Sequence, residues 1–470
     1  MKDHTNISRI YFIGIGGIGM SALAKYYLNK NVTVSGYDKT VTLLTQQMES
    51  DGIKIHYEDD VELLDKNAQL VVYTPAVPKD HKEFNYYLNN NYEVIKRSTL
   101  LGEITKSTFN ICIAGTHGKT TISTMVAHIL TDSGFGCNAF LGGISVNYNT
   151  NFWSSDNNVA VVEADEYDRS FLKLSPDVAL ISAMDADHLD IYGTKENMEN
   201  SFIEFSEKLK KDGLLLTNYD LSCDRFSAHN HMRYSLKNNK ADVFADNILI
   251  SGRGYQFDIV NKNWSVKKIQ LNMGGLHNVE NAVAAITIAH YLNIEEGKIK
   301  KAVNNFEGVK RRFEYIISPN KNEEDNPQND FIFIDDYAHH PQELNALISG
   351  AKNLFSDRTC TVIFQPHLFS RTRDFAHEFA ENLDKADEIL ILPIYPAREL
   401  PMEGVTSSMI SQLMKNKNVR IISKEDLMDF VQNEFVRRPD DESRRLLITA
   451  GAGDIDKLVL PIKKILLNKF

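Results

Sequence analysis

Residues 111–121 read ICIAGTHGKTT, an apolar run that ends in a glycine-rich turn. The apolar part predicts a buried strand, and the turn is followed by a helical pattern that Gly134 stops. Glycines let backbone N–H groups close on a polyphosphate, a lysine adds a point charge, and a threonine hydroxyl can hold Mg²⁺. We therefore interpret this segment as a phosphate-binding loop at a strand–helix junction, the alternative being an ordinary turn.

The loop departs from the general P-loop pattern at one position. That pattern has a glycine five positions before its Gly-Lys pair, where this chain has Ile113, and the additional glycine is instead Gly115. The spacing predicts a tighter loop.

Length, composition and charge limit the classes of protein to consider. A chain of 470 residues with 43% apolar and 24% charged residues suggests roughly three globular domains. The net charge of −11 argues against nucleic acid or an anionic membrane as the main partner. No run of 18 apolar residues is present, so we expect no integral membrane association. Four widely spaced cysteines and a glycine-interrupted apolar stretch at residues 11–24, a poor signal-peptide core, favour a cytoplasmic location.

Residues 1–107 predict a Rossmann-like domain. Its first strand, Ile10–Ile13, leads through Gly14–Gly19 into a helix, and Asp38 follows at the end of the second strand. This is the G-x-G-x-x-G pattern with an acid about twenty residues further on. It indicates a diphosphate near a helix N-terminus, a dinucleotide cofactor included, or a turn needed only for packing.

Residues 108–309 predict a central domain with a P-loop ATPase-like parallel sheet. Two apolar strands, at 159–162 and 178–182, each run into an acidic cluster, and ligands bind at the carboxyl ends of such strands. Glu163 and Thr120 are therefore candidate Mg²⁺ ligands. His188 stays open between a structural role and a metal site, because imidazole suits Mn²⁺ better than Mg²⁺.

Residues 310–470 predict a C-terminal Rossmann-like domain. Polar segments at 335–341, 365–373 and 449–454 each follow a strand, which indicates that one face of this domain contributes functional residues. The polar stretch 318–330 predicts a loop between two hairpin strands. The cations at 310–312 form a solvated surface or contact a phosphate group. For Asn278 and Asn281, near a predicted helix start, the residues alone favour helix capping over contact with an adenine edge.

The order and spacing of these motifs resemble the bacterial Mur ligases over all three domains. The resemblance rests on GIGGIGMSALA at 14–24, GTHGKTT at 115–121, EADE at 163–166, DHLD at 187–190, HNVENA at 277–282, RRF at 311–313, DDYAHHP at 335–341 and QPH at 365–367.

The resemblance implies roles for individual residues. A UDP-sugar would contact Gly16, Gly17, Ile18, Gly19, Asp38, His367 and Arg371. ATP would contact Gly115, Thr116, His117, Gly118, Lys119, Thr120, Thr121, Asn281, Arg312 and Asp336. Divalent ions, Mg²⁺ with Mn²⁺ as an acceptable substitute, would be held by Thr120, Glu163 and His188. The catalytic residues would be Lys119, His188 and Arg371.

The implied reaction joins L-alanine to the lactyl carboxylate of UDP-N-acetylmuramate through an acyl phosphate, with ATP converted to ADP, in peptidoglycan precursor synthesis. Phe202 stands where several sister ligases carry a carbamylated lysine, which favours the alanine-adding step. Leu368 stands where similar ligases often have an arginine, so either Arg371 or Arg373 serves there or the substrate contacts differ. His188, His339 and His340 are candidate bases for the amine only by residue type.

Three alternatives stay open at this point: a recycling ligase that attaches an intact tripeptide, a nicotinamide-dependent oxidoreductase, and a P-loop ATPase that acts as a switch. We expect a monomer or weak homodimer.

Overall fold

The computed structural model describes residues 7–185, 189–221, 223–318, 331–397, 399–436 and 444–467. The strands, in chain order, are β1 Arg9–Ile13, β2 Thr33–Tyr37, β3 Lys54–His56, β4 Leu70–Tyr73, β5 Val94–Lys96, β6 Phe109–Ala114, β7 Asn138–Ser145, β8 Thr150–Trp153, β9 Val159–Glu163, β10 Val178–Ile181, β11 Leu214–Asn218, β12 His231–Ser235, β13 Val243–Ser251, β14 Gly254–Asn261, β15 Ser265–Leu271, β16 Glu314–Ile317, β17 Phe331–Asp336, β18 Thr359–Phe364, β19 Glu388–Ile391, β20 Val419–Ile421 and β21 Arg445–Ala450.

The helices are α1 Ile18–Asn29, α2 Leu43–Ser50, α3 Lys82–Asn89, α4 Arg97–Ser107, α5 Lys119–Asp132, α6 Leu189–Tyr192, α7 Lys195–Glu207, α8 Leu276–Tyr291, α9 Glu296–Asn305, α10 Pro341–Leu354, α11 Phe369–Asp374, α12 Ala376–Leu383, α13 Ser408–Leu413, α14 Lys424–Phe430 and α15 Asp456–Leu467. A 3₁₀ segment covers Tyr167–Lys173. Within the described ranges, no helix is long and apolar enough to cross a membrane.

Three sheets organise the chain into the three-domain α/β fold that the sequence predicts. The first sheet has the parallel order β3-β2-β1-β4-β5, and the second has ten strands in the order β15-β14-β13-β12-β11-β10-β6-β9-β7-β8. The third has the order β16-β17-β21-β18-β19-β20 and is parallel except for the β16–β17 pair. Buried Val, Ile, Leu and Phe fill its parallel strands, because helices cover both faces of such a sheet.

The local predictions are confirmed at most element positions. The strand predicted at 10–13 is β1, the helix after the 115–121 turn is α5, and Gly134 has φ +81° two residues beyond its end. The predicted hairpin strands are β16 and β17, and most of the loop between them lies outside the described residues. Asn278 and Asn281 lie inside α8 rather than at its N-cap, so the capping interpretation is wrong. The Asn278 amide instead donates to the carbonyl oxygen of Gly274 (2.7 Å).

The chain separates into two compact units. One contains residues 1–246, 258–267 and 280–306, and the other contains residues 247–257, 268–279 and 307–470. The first unit holds the first sheet together with strands β6 to β12, and the second unit holds the third sheet. The domain boundaries at 107/108 and 309/310 stay predictions.

Candidate active site

The predicted phosphate loop lies between β6 and α5, at the carboxyl edge of the second sheet. Gly118, with φ +81°, is the N-cap of α5 and offers no side chain to cap this helix. The first N–H groups of α5, including those of Lys119, Thr120 and Thr121, have no acceptor within the helix itself, which suits an anion. Gly115 has φ +130°, and a methyl group there would lie 2.2 Å from the Ser182 hydroxyl oxygen. Only glycine fits this position.

The residues after β10 hold the loop from one side. The Ser182 hydroxyl contacts the carbonyl oxygens of Ala114 (3.2 Å) and His117. Thr116 donates its N–H to the Ala183 carbonyl oxygen (3.1 Å), and its hydroxyl accepts from Asp185 N–H (3.1 Å). Sequence reasoning missed Ser182, because nothing in a lone serine after a strand indicates that it supports a loop about 65 residues earlier.

Lys119 is held by a buried acid. Its ammonium group donates to the Gly115 carbonyl oxygen (2.6 Å) and pairs with Glu166 (2.8 Å), whose side chain is 2% exposed. The backbone carbonyl of Glu166 accepts from the Tyr192 hydroxyl (2.6 Å), which ties this acid to α6. Glu166 belongs to the EADE motif, but its pairing with the loop lysine was not predicted.

Glu163 and Thr120 form the oxygen pair expected for a divalent cation. The Glu163 carboxylate lies 3.0 Å from the Thr120 hydroxyl and accepts from Gly142 N–H (2.9 Å). Desolvation raises the pKa of Glu163, and the nearby Lys119 charge opposes that shift. A methyl group on Gly142 would lie 2.3–2.4 Å from the Glu163 carboxyl atoms, so this glycine is required for the approach. Carboxylate and hydroxyl oxygens are the donors that Mg²⁺ prefers, and the pair fits that ion.

His188, the third predicted metal ligand, lies outside the described residues. Within the described ranges, no group of three or more His, Cys, Asp or Glu residues is placed to hold a metal ion. Phe202 is fully buried, and its ring packs edge-on against Phe171 with centroids 5.3 Å apart. Phe202 therefore belongs to a buried aromatic cluster.

Asn281 lies beside the phosphate loop. A methyl group on Gly118 would lie 2.8 Å from the Asn281 side-chain oxygen, so the amide is next to the turn. His117 on the same turn faces Asp185 at 3.5 Å, an exposed pair that contributes little to stability.

The backbone N–H groups at the start of the first glycine turn, Gly14–Gly19, are hydrogen-bonded to nearby residues of the first sheet and of the turn itself. Gly16 N–H donates to Asp38 Oδ2 (2.7 Å), and Gly17 N–H donates to the Gly14 carbonyl oxygen (3.2 Å). The N–H groups that this turn can offer to a phosphate are therefore those of Ile18 and Gly19, the first residues of α1. Asp38 is placed to shape the turn.

Arg311, Arg312 and Asp336 lie in the second unit. Arg311 is paired with Asp335 (3.3 Å), and the guanidinium groups of both Arg311 and Arg312 lie over the Tyr337 ring, 5.1 and 5.6 Å from its centroid. Asp336 accepts the N–H groups of Phe313 and Ala338, each at 2.7 Å. Burial raises the pKa of Asp336 to about 6.

His367 and Arg371 are brought together at the carboxyl end of β18. Arg371 Nη1 lies 3.4 Å from His367 Nδ1, and the His367 ring stacks on Tyr395 with centroids 5.9 Å apart. Burial lowers the pKa of His367 to about 4, so its imidazole is neutral. Arg373 instead pairs with its neighbour Asp374 (2.7 Å), which favours Arg371 as the guanidinium that serves in place of residue 368.

The two histidines before α10 have structural partners. His339 Nδ1 lies 3.0 Å from the Tyr337 carbonyl oxygen, and His340 is the N-cap of α10. Glu343 accepts the backbone N–H of both, at 2.9 and 3.1 Å.

A phosphate loop with an adjacent lysine, hydroxyl and carboxylate, set in doubly wound α/β domains, defines a nucleotide-dependent enzyme. Three family models match in order: the Mur ligase family catalytic domain at residues 9–108, the Mur ligase middle domain at 113–289, and the Mur ligase glutamate ligase domain at 311–453.

Named relatives agree with these matches. The chain is 44% identical to a UDP-N-acetylmuramate–L-alanine ligase of Cytophaga hutchinsonii, over 98% of this chain and 97% of the relative. The crystal structure of UDP-N-acetylmuramate–alanine ligase from Thermotoga maritima aligns with a TM-score of 0.80 at 26% identity, covering 98% of each chain. A murein peptide ligase from Psychrobacter arcticus aligns with a TM-score of 0.66 at 23% identity, covering 98% of this chain and 99% of that one, and shares the fold.

The chain belongs to the Mur ligase family. Members of this family form amide bonds with the consumption of ATP.

Proposed function

We propose that the protein joins L-alanine to the lactyl carboxylate of UDP-N-acetylmuramate, with ATP converted to ADP and phosphate, in peptidoglycan precursor synthesis. The observation that carries this proposal is that Lys119, Thr120 and Glu163 lie together at the carboxyl edge of one sheet. The chain is also 44% identical to a UDP-N-acetylmuramate–L-alanine ligase. The compartment would be the cytoplasm, and the working domains would be residues 1–107, 108–309 and 310–470.

The loop residues 115–121 would bind the ATP phosphates. Backbone N–H groups at the start of α5 point toward an anion, and Lys119 supplies a positive charge where the transferred phosphoryl group spreads negative charge. Glu166 would keep Lys119 at the loop, because a buried carboxylate 2.8 Å away restrains the flexible lysine chain. Asn281, Arg312 and Asp336 would contribute nucleotide contacts.

Thr120 and Glu163 would hold Mg²⁺, with His188 as a further ligand. Mg²⁺ would supply charge neutralisation between phosphate oxygens. Gly142 would orient Glu163 through its N–H and its lack of a side chain.

The chemistry proceeds in two balanced steps. An oxygen of the lactyl carboxylate forms a bond to the γ-phosphorus while the bond from that phosphorus to the bridging oxygen of ADP breaks, which leaves an acyl phosphate. The ammonium group of L-alanine gives one proton to a base or to solvent, and the amine then forms a bond to the acyl carbon. The bond from that carbon to the phosphate oxygen breaks, inorganic phosphate leaves, and the nitrogen loses a second proton to solvent as the amide forms. Binding supplies much of the rate, because three reactants must be held in line.

Residues of two domains would bind the other two reactants. Ile18 and Gly19 would contact the diphosphate of the sugar nucleotide, with Gly16, Gly17 and Asp38 shaping the turn. His367, which is neutral, and Arg371, which is permanently charged, would contact substrate in the second step.

The rival functions account for less of the site. A nicotinamide oxidoreductase would give no role to Lys119, Thr120 and Glu163. In such an enzyme the acid after the second strand binds the ribose hydroxyl of the cofactor, whereas Asp38 here accepts the Gly16 N–H. A P-loop switch would release phosphate without an acid and an amine. A ligase that attaches a tripeptide would share the fold, so only the preference for L-alanine or for the tripeptide distinguishes these two functions.

The test is phosphate release from ATP by the purified full chain with UDP-N-acetylmuramate and Mg²⁺, comparing L-alanine, glycine, L-serine and tripeptide. L-alanine should give the highest kcat/KM. Preference for the tripeptide would assign the protein to the recycling ligases, and phosphate release without any acceptor would support a switch instead.

A further inference from the structure

Arg97 lies beside the first glycine-rich turn and has no part in the roles proposed above. It is the first residue of α4 and follows β5 directly, so it lies at the carboxyl edge of the first sheet. Its guanidinium covers Gly19 in the first turn of α1, where an added methyl group would lie 2.6 Å from Arg97 Nη1. Arg97 therefore stands beside the N–H groups that the first turn can offer to an anion.

On its other side, Arg97 reaches the acidic segment after β9. Arg97 Nη2 donates to Asp165 Oδ2 at 3.4 Å, and the two side chains are 21% and 40% exposed. An arginine that binds a carboxylate strongly makes two parallel hydrogen bonds at about 2.7–2.9 Å, so this bond is long and weak by comparison. Asp165 therefore makes one long hydrogen bond to this guanidinium rather than a bidentate pair.

Arg97 also shares a cleft with the candidate metal ligand. The cleft is small, and its lining includes Arg97, Glu163, Asp165 and Ser170. Arg97 therefore lies next to the first glycine turn and lines the same small cleft as the carboxylate that accepts the Thr120 hydroxyl.

The proposed reaction brings a carboxylate against a triphosphate, and two anions approach only where positive charge offsets their repulsion. We propose that Arg97 binds an anionic oxygen of the sugar-nucleotide acid, its diphosphate or its lactyl carboxylate, and exchanges Asp165 for that oxygen. This inference rests on the proposed function. The Arg97 guanidinium would hold the acid in line between the two turns.

The neighbouring Lys96 offers a matched control. It pairs with Asp168 at 3.1 Å, and both side chains are about 40% exposed (39% and 43%). Exposed pairs of this kind contribute little to stability. Lys96 precedes Arg97 in the chain, carries the same charge, and faces an aspartate of the same segment.

The experiment measures binding to the full chain by calorimetry, without ATP. UDP-N-acetylmuramate and UDP-N-acetylglucosamine, which keeps the diphosphate but lacks the lactyl carboxylate, are titrated into the wild type, Arg97→Met, Arg97→Gln and Lys96→Met. Methionine retains the apolar stem of the arginine side chain. Hydrogen bonds to charged groups predict about 10-fold to 100-fold weaker binding of UDP-N-acetylmuramate to Arg97→Met, with Lys96→Met within about 2-fold of wild type.

The pattern across the two sugars identifies the oxygen. Weaker binding of both sugars assigns Arg97 to the diphosphate, and weaker binding of UDP-N-acetylmuramate alone assigns it to the lactyl carboxylate. Unchanged binding of both sugars by Arg97→Met overturns the inference. If Arg97→Met fails to fold, Arg97→Gln decides: it removes the charge but keeps a polar side chain, so weaker binding supports the inference and wild-type affinity contradicts it. A wild type that binds no UDP-N-acetylmuramate contradicts the proposed function itself.

Discussion

The two glycine-rich turns of this chain, at 14–19 and 115–121, have the same local architecture and different surroundings. Each follows a buried parallel strand and leads into a helix whose N-cap glycine makes no side-chain capping bond. The first turn contains no charged residue and is braced by Asp38, which accepts the Gly16 N–H. The second contains Lys119 and Thr120, and the acids Glu166 and Glu163 hold their side chains.

The difference separates binding a phosphate group from transferring one. Backbone N–H groups and a helix N-terminus are sufficient to hold a diphosphate that does not react. Transfer of a phosphoryl group needs charge at the atoms where negative charge develops, which requires a lysine and metal ligands at the same place. Changes at the second turn should therefore affect turnover, and changes at the first should affect binding of the sugar nucleotide.

Removal of the divalent ion gives the largest expected effect. With excess EDTA, phosphate release should fall by about 10³-fold or more, because Thr120 and Glu163 would lose the ion that they position. Binding of UDP-N-acetylmuramate should stay within about 2-fold, since the first turn uses backbone groups. Restoring Mg²⁺ serves as the control. An equal loss of phosphate release and of UDP-N-acetylmuramate binding would contradict the separate roles of the two turns.

Lys119→Ala should lower phosphate release by about 10²–10³-fold, because the loop loses its charge at the transferred group. UDP-N-acetylmuramate should still bind, as measured by calorimetry. Lys195→Ala, at an exposed helix position with its side chain 61% exposed, is the matched control and should leave both properties unchanged. Full ATP-dependent activity in Lys119→Ala would contradict the role assigned to this residue.

Gly142→Ala should weaken the apparent Mg²⁺ affinity by about 10-fold to 100-fold. The new methyl group would lie 2.3–2.4 Å from the Glu163 carboxyl group and displace it from Thr120. The measurement is the Mg²⁺ concentration for half-maximal phosphate release. Gly297→Ala in α9, whose nearest neighbouring atom would be 3.6 Å away, should leave it unchanged. An unaltered Mg²⁺ dependence in Gly142→Ala would mean that Glu163 is not a ligand.

Asp38→Ala should give the smallest effect, about 10-fold weaker binding of UDP-N-acetylmuramate. The substitution removes the acceptor for the N–H groups of Gly16 (2.7 Å) and Thr40 (3.0 Å), so the first turn loses its shape. Binding of an ATP analogue should not change. Asp51→Ala, at an exposed helix end of the same domain, is the control. A larger effect on ATP than on the sugar nucleotide would reverse the assignment of the two turns.

Local sequence patterns predicted the parts of the site that lie on continuous segments. The turn at 115–121 and the strand before Glu163 could be read directly, because each needs only neighbouring residues. The contacts that distant segments make with these parts could not be predicted from local patterns. Ser182, Gly142 and Glu166 act through contacts that the sheet order creates, and a serine, a glycine or an acid after a strand does not identify its partner.

Arg97 shows the same limit. Its relation to Gly19 depends on β5 and β1 lying in one sheet, with β4 between them. The capping interpretation of Asn278 is wrong because α8 begins at Leu276, so Asn278 is the third residue of the helix and not its cap.

The central claim is that the carboxylate bound at the first turn attacks the phosphate held at the second. UDP-N-acetylmuramate labelled with ¹⁸O in its lactyl carboxylate tests this directly, with ATP, Mg²⁺ and L-alanine supplied and the released phosphate analysed by mass spectrometry. The account predicts one labelled oxygen in the phosphate for each amide formed from fully labelled acid. Amide formation with unlabelled phosphate would contradict it.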